Sequence, residues 1–278
     1  MEIRPLTPED VAAADIIDRD AIGSAGQRPE PERVRLGWAR IEHLIATDPG
    51  GAWLAVDREQ PIGVALAIRR EAVWGLSMLV VAPGTQGQGV GRRLLEAAFD
   101  YGKEADAGII LSSQDPRAVR RYSRLGFELR PAVSATGVVR REGVVQPARV
   151  REGSLGDIAV TAAISRAVRG ADHVRDIPVW LDLGMTLLVH ESGFAVHDGG
   201  SPLLLAALDD GAAAELLAAC LIASPEGAAV EITHITAGND WAVRTALDAG
   251  LSLASSGPVF VRNMPGELAP YLPSGAYL

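Results

Sequence analysis

Val80-Val81-Ala82-Pro83-Gly84-Thr85-Gln86-Gly87-Gln88-Gly89-Val90-Gly91-Arg92-Arg93 leads from an apolar strand, through a glycine-rich loop, into an amphipathic helix. Glycines let a backbone approach a ligand closely, and a helix start offers unpaired N–H groups at the positive end of its dipole. Such a corner suits phosphate. Arg92 and Arg93 sharpen the reading, because each cation in a first helical turn opposes the dipole by roughly a few tenths of a kcal/mol. A bound anion would remove that conflict, although either side chain could simply point into water. Two other phosphate loops do not fit. A dinucleotide fold needs G-x-G-x-x-G beside the first strand of a βαβ unit, and a P-loop needs Gly-Lys-Ser/Thr.

Working outward, a short strand at Glu2–Leu6 precedes Thr7-Pro8-Glu9-Asp10, a helix start with Thr as N-cap and Pro at the first helical position. One helix should run to about Asp18 and a second from Pro31 to Thr47, stopped by Asp48-Pro49-Gly50-Gly51. Strands are expected at Ala52–Asp57, Ile62–Ile68 and Val73–Val81, with turns at 58–63 and 69–71. After the loop come a helix (Val90–Lys103), an apolar strand (Gly108–Leu111), a helix (Asp115–Leu125) and a strand from Phe127. The class is α/β (α+β), with a mixed sheet flanked by helices.

Residues 133–148 carry Pro, Gly and paired Arg without a helical period and read as a linker between a domain at 1–132 and another at 149–278. The second stretch repeats the first. Strands at Met185–Val189, Phe194–His197 and Leu203–Ala207, a helix at Gly211–Ile222, a strand at Ala229–Ile235 and a helix at Asp240–Ala249 follow the same order. Ala118-Val119-Arg120-Arg121 through Gly126-Phe127 aligns with Ala242-Val243-Arg244-Thr245 through Gly250-Leu251. Two copies of one fold are expected.

Gln86-x-x-Gly89-x-Gly91, placed between a strand and a helix, resembles the acyl-CoA signature (Gln/Arg-x-x-Gly-x-Gly/Ala) of the GNAT superfamily of N-acyltransferases. Farther on, Asp115-Pro116-Arg117-Ala118 followed by Tyr122 and Gly126-Phe127 looks like that family's second half-motif, which usually opens with Asn. The resemblance is clear over 1–132 and faded over 149–264. It implies two GNAT-like domains, each a mostly antiparallel twisted sheet, the second a degenerate copy that binds no cofactor. It further implies acetyl-CoA as co-substrate, held by Leu79, Val80, Val81, Gln86, Gly87, Gln88, Gly89, Val90, Gly91, Arg92 and Asp115. A backbone N–H of Leu79–Val81 would hold the thioester oxygen.

Acyl transfer to an amine needs a neutral amine, a stabilised oxyanion and a proton for the departing thiolate. Tyr122 maps to the tyrosine that supplies that proton, against a bland reading as an aromatic packed under Phe127. For the base, Glu71 beside the central strand is the first candidate, with Asp57, His43 or a water chain as alternatives. Arg117, Arg121 and Arg124 share a helix face that could meet the cofactor's 3′-phosphate or merely water. The five histidines, at 43, 173, 190, 197 and 234, lack metal-ligand spacing, and no metal is expected. His190 and His197 could line a pocket, although ordinary surface positions suit them better. Cys220 lies in an apolar helical run and reads as packing.

The 278 residues are 48% hydrophobic, which suits two cores, and carry a net charge of −9. Residues 1–150 hold 20 acidic and 20 basic side chains, so the whole charge falls on 151–278, with 15 acidic and 6 basic. A nucleic-acid binder would show the opposite excess. The single cysteine and the absence of a signal-peptide pattern suit a cytoplasmic protein, and one lysine against 25 arginines suggests a GC-rich bacterial genome. The expectation is an N-acetyltransferase acting on the primary amine of a small molecule, without nucleic-acid or membrane partners, and a homodimer is left open. The alternatives are a protein or peptide N-acetyltransferase and a non-catalytic acyl-CoA sensor.

Overall fold

Strand β1 (Glu2–Pro5) is followed by Thr7, whose backbone N–H and hydroxyl both donate to Asp10, at 2.9 and 2.8 Å, closing the turn that launches α1 (Val11–Ala21). The structure is a computed structural model that describes residues 1–21, 31–265 and 267–278. Two units make it up, Met1–Asp106 and Ala107–Leu278. In the first, α2 (Pro31–Thr47) leads to an antiparallel meander of β2 (Ala52–Asp57), β3 (Gln60–Arg70) and β4 (Val73–Val81), and β1 pairs with the outer side of β2. The interior of β3 reads as one apolar run because Ile62–Ile68 are buried without alternation, as in a strand covered on both faces. Helix α3 (Val90–Tyr101) buries Val90, Gly91, Leu94, Leu95 and Ala98, one stripe of its surface. It comes close to β3 because Gly63 has no side chain; a Cβ there would stand 2.9 Å from Leu94 and 3.0 Å from the Val80 carbonyl.

Asp48 ties this unit together. Its carboxylate, fully buried, accepts from the Arg69 N–H (2.8 Å), the Arg70 guanidinium (2.8 Å), the Thr47 hydroxyl (2.7 Å) and the Tyr101 hydroxyl (3.1 Å). The end of α2, the end of β3 and the end of α3 therefore converge on one side chain. Burial, then the Asp48 charge, pushes the Tyr101 phenol up to about 12.

The second unit begins with β5 (Ala107–Leu111), α4 (Pro116–Arg124), β6 (Glu128–Arg130) and β7 (Ala132–Val138). It continues with β8 (Arg151–Glu152), α5 (Ile158–Arg169), α6 (Ile177–Asp182), β9 (Thr186–His190), β10 (Gly193–Asp198) and β11 (Ser201–Ala207). Then follow α7 (Asp210–Ile222), β12 (Ala229–Thr236), α8 (Asp240–Asp248), β13 (Ser252–Ser255), β14 (Val259–Arg262) and β15 (Tyr271–Leu272). The order from β8 to β14 repeats that from β1 to β7, so the fold is a mixed α/β arrangement written twice. Helix α7 is mostly apolar because most of it is buried, with Ala213, Leu216, Leu217, Cys220 and Leu221 in one core with Ala195, Leu205 and Ile232. Burial raises the Cys220 thiol to about 12, so it remains an unreactive packing group.

The last strands of the two repeats are exchanged. β14 lies antiparallel between β5 and β6, with Val261 opposite Ile109 on one side and Glu128 on the other. β7 lies between β12 and β13, with Ala135 opposite Ile232 and Leu253. The stretch 133–148, expected as a linker, therefore contains most of a central strand with partners on both edges and a 3-10 turn at Arg141–Gly143. It also puts Ala135 and Val144 into the core. Gly257 makes room for the incoming β14, since a Cβ there would lie 1.7 Å from the Ser112 carbonyl oxygen.

Candidate active site

β4 delivers Leu79, Val80 and Val81, all half-buried, to a 3-10 turn at Pro83–Thr85, and the chain then enters α3 with Gly89 as N-cap. Gly87 and Gly89 have φ of 82° and 85°, the left-handed region that glycine occupies without strain. An added Cβ at Gly84, Gly87 or Gly89 would meet nothing within 4 Å, so the corner faces open space. Thr85 and Gln86 fold back on the strand; Gln86 Nε2 donates to the Val81 carbonyl at 3.2 Å. The N–H groups of Gly87, Gln88, Gly89, Val90 and Gly91 meet no acceptor among the described residues. Five donors at the positive end of a helix could hold an anion. Arg92 is exposed, in a long and solvated ion pair with Glu96 at 3.6 Å.

The structure does not bring Glu71 to this corner. It occupies the β3–β4 turn with a left-handed φ of 52°, exposed, at the opposite end of β4. Eight residues of strand, roughly 27 Å, separate it from Leu79. A hairpin reverses the chain, so a turn before β4 and a loop after it must lie at opposite ends. Asp57 closes the β2–β3 hairpin, ion-paired 3.0 Å from the Met1 amino group, and His43 is half-buried on α2.

In the second unit, α4 carries Asp115 and Tyr122. Asp115 is the N-cap, accepting the Arg117 N–H at 2.8 Å, and its carboxylate is forked by the Arg117 side chain at 3.0 and 2.7 Å. These bonds to Arg117 hold its pKa below the usual carboxylate range. The departure from Asn thus has a local account, because either side chain can cap a helix. Arg117 is spent on Asp115; Arg124 is exposed and Arg121 half-buried. Tyr122 is the one buried residue of α4, edge-on to Phe260 of β14 with ring centroids 5.5 Å apart. Its hydroxyl has no hydrogen-bond partner among the described residues. Burial raises the phenol to about 12. Both readings of Tyr122 therefore describe the same side chain, packed through its ring and with its hydroxyl uncommitted.

The equivalent corner of the second repeat is built differently. Asp209 caps α7, accepting the Ala212 N–H at 2.8 Å, and Asp210 occupies the first turn. Asn239, opposite Asp115 in the repeat, is fully buried and spends its amide on Thr236, Leu268, Trp241 and Tyr271. Ala246 stands where Tyr122 does. His190 and His197 are buried, not on the surface. Each accepts a backbone N–H in its own hairpin turn, from Ser192 at 3.0 Å and from Gly200 at 3.3 Å.

A strand that runs into a cluster of helix-start N–H groups, in an α/β fold written twice, is the arrangement the chain presents. Residues 15–127 match the model of the acetyltransferase (GNAT) family. Among solved structures, a Pyrococcus horikoshii protein assigned as an acetyltransferase superposes with a TM-score of 0.82 at 18% identity, over 100% of this chain and 95% of that one. A tandem GNAT protein from the clavulanic acid biosynthesis pathway gives 0.59 at 16%, over 94% and 98%. A GCN5-related N-acetyltransferase from Sphaerobacter thermophilus gives 0.55 at 14%, over 95% and 96%. These likenesses extend across both repeats, in agreement with the tandem fold. No helix among the described residues is long and apolar enough to cross a membrane.

Proposed function

We propose that this chain transfers an acetyl group from acetyl-CoA to the primary amine of a small molecule, with residues 1–132 active and 149–278 a copy that takes no cofactor. The observation that carries the reading is the contrast between two helix starts. At Gly87–Gly91 five N–H groups meet no acceptor among the described residues, and nothing crowds Gly87 or Gly89. At Asp209 a carboxylate already fills the cap, and a second one follows, so an anion would be both displaced and repelled. One acyl-CoA per chain follows. In the reaction, Gln86–Gly91 and Arg92 hold the pyrophosphate and a backbone N–H of Leu79–Val81 steadies the thioester oxygen. Tyr122 then donates to the sulfur as it leaves.

The proton step depends on the burial of Tyr122. A phenol at about 12 faces a thiol of about 8.5 in water, so transfer from a fully solvated standpoint is uphill by roughly 5 kcal/mol. Burial raises a thiol as it raises a phenol, which narrows the gap inside the site. Meanwhile the phenol stays protonated across the whole working range. The acidic second half, with 15 carboxylates against 6 basic groups, favours a cationic acceptor by long-range attraction. The test is a panel of small amines and of lysine- and N-terminal peptides, read as free thiol released from acetyl-CoA. Turnover with small amines above peptides is expected. Turnover confined to peptides would overturn the small-molecule reading, and none at all would leave an acyl-CoA-binding protein.

A further inference from the structure

The pairing of β3 with β4 is irregular at one point. Leu66 faces Met78 and Ala67 faces Leu76, so Ser77 is an extra residue on β4, a β-bulge two residues before Leu79. A bulge bends its strand and re-aims everything beyond it, and losing it would slip the register by one and invert the N–H directions that follow. This bulge is held from outside the sheet. Arg40 of α2 reaches across so that Nε donates to Ser77 Oγ at 3.1 Å and Nη2 donates to the same oxygen at 2.9 Å and also to the Ser77 carbonyl. One planar fork thus engages both the side chain and the backbone of the extra residue, a geometry that lysine cannot copy. Ser77 itself is buried. Behind the guanidinium stand carboxylates of α1. Asp18, half-buried, feels the Arg40 charge, and Asp15 is tied to Arg19 at 3.0 Å.

We infer that Arg40 is a positioning residue for acyl transfer, clamping the Ser77 bulge so that the N–H groups of Leu79–Val81 point at the thioester oxygen. The inference rests on the acyltransferase reading for its catalytic consequence, but the clamp itself can be tested apart from activity. The cradle at Gly87–Gly91 lies beyond the strand and shares no bond with Arg40, so cofactor binding and the chemical step separate. Arg40→Gln should lower kcat about 10²-fold, the cost of misplacing reacting groups by about 1 Å, with Kd for CoA unchanged. Arg40→Lys should recover part of that loss. Ser77→Ala keeps the carbonyl bond and should lower kcat several-fold, and it decides the matter if Arg40→Gln does not fold. Backbone amide exchange at Met78–Val81 should quicken in Arg40→Gln while that of β2 does not. Unchanged exchange would overturn the clamp. Faster exchange with wild-type kcat would overturn the positioning role, as would a loss confined to thermal stability. An inactive wild-type chain would sink the acyltransferase reading alone, because the exchange measurement still reports on the bulge.

Discussion

Tyr122→Phe is expected to lower kcat by about 10²–10⁴-fold, the range a general acid contributes, while acetyl-CoA affinity barely changes. The substitution removes one oxygen and leaves the ring against Phe260, 5.5 Å between centroids, so packing is preserved. That makes it a clean discriminator between the two accounts of this residue. If Tyr122 were only packing, loss of a hydroxyl that meets no partner among the described residues would cost almost nothing. The pH profile adds a second reading. With the phenol raised to about 12 by burial, kcat should show no alkaline fall traceable to Tyr122 below about pH 11. Near-wild-type turnover in the variant, with chemistry shown to be rate-limiting, would return Tyr122 to the packing role.

Asp48→Ala is expected to cost about 3–5 kcal/mol of stability, because it removes the carboxylate that balances a buried guanidinium. The Arg70 and Asp48 side chains are 2% and 1% exposed and 2.8 Å apart, so the pair lies away from bulk solvent. The same change also strips the acceptor from the Arg69 N–H and the Tyr101 hydroxyl. Asp48→Asn keeps one acceptor oxygen and should lose less. The readout is the urea-unfolding midpoint at constant m-value. A loss below about 1 kcal/mol for Asp48→Ala would show that the network is not what joins the ends of α2, β3 and α3.

The residues that were legible in the sequence are those whose meaning is local. The strands Ala52–Asp57 and Val73–Val81 and the helix start at Val90 follow from turn residues and apolar runs, and the structure has them at the same bounds. The glycine-rich strand-to-helix turn was legible because glycines, a strand end and a helix start adjoin in sequence. Asp209 was legible for the same reason. What escaped was long-range. Asp48 reads as a helix stop, and nothing near it announces that Arg70 and Tyr101 will arrive there. β7 and β14 each look like the last strand of their own repeat, and no local signal says that they trade places. The bulge at Ser77 arises from pairing with β3 and from Arg40, 37 positions away. Glu71 is a different case, since strand polarity alone would have set it at the wrong end of β4.

Calorimetric titration of the intact chain with acetyl-CoA tests the central claim most directly. The open cradle at Gly87–Gly91 and the carboxylate-filled cap at Asp209 together require a stoichiometry of about one acyl-CoA per chain. Binding should weaken sharply when Gly89 is replaced by Val, whose branched Cβ does not tolerate a φ of 85°. A stoichiometry near two, or binding that survives Gly89→Val unchanged, would contradict the account.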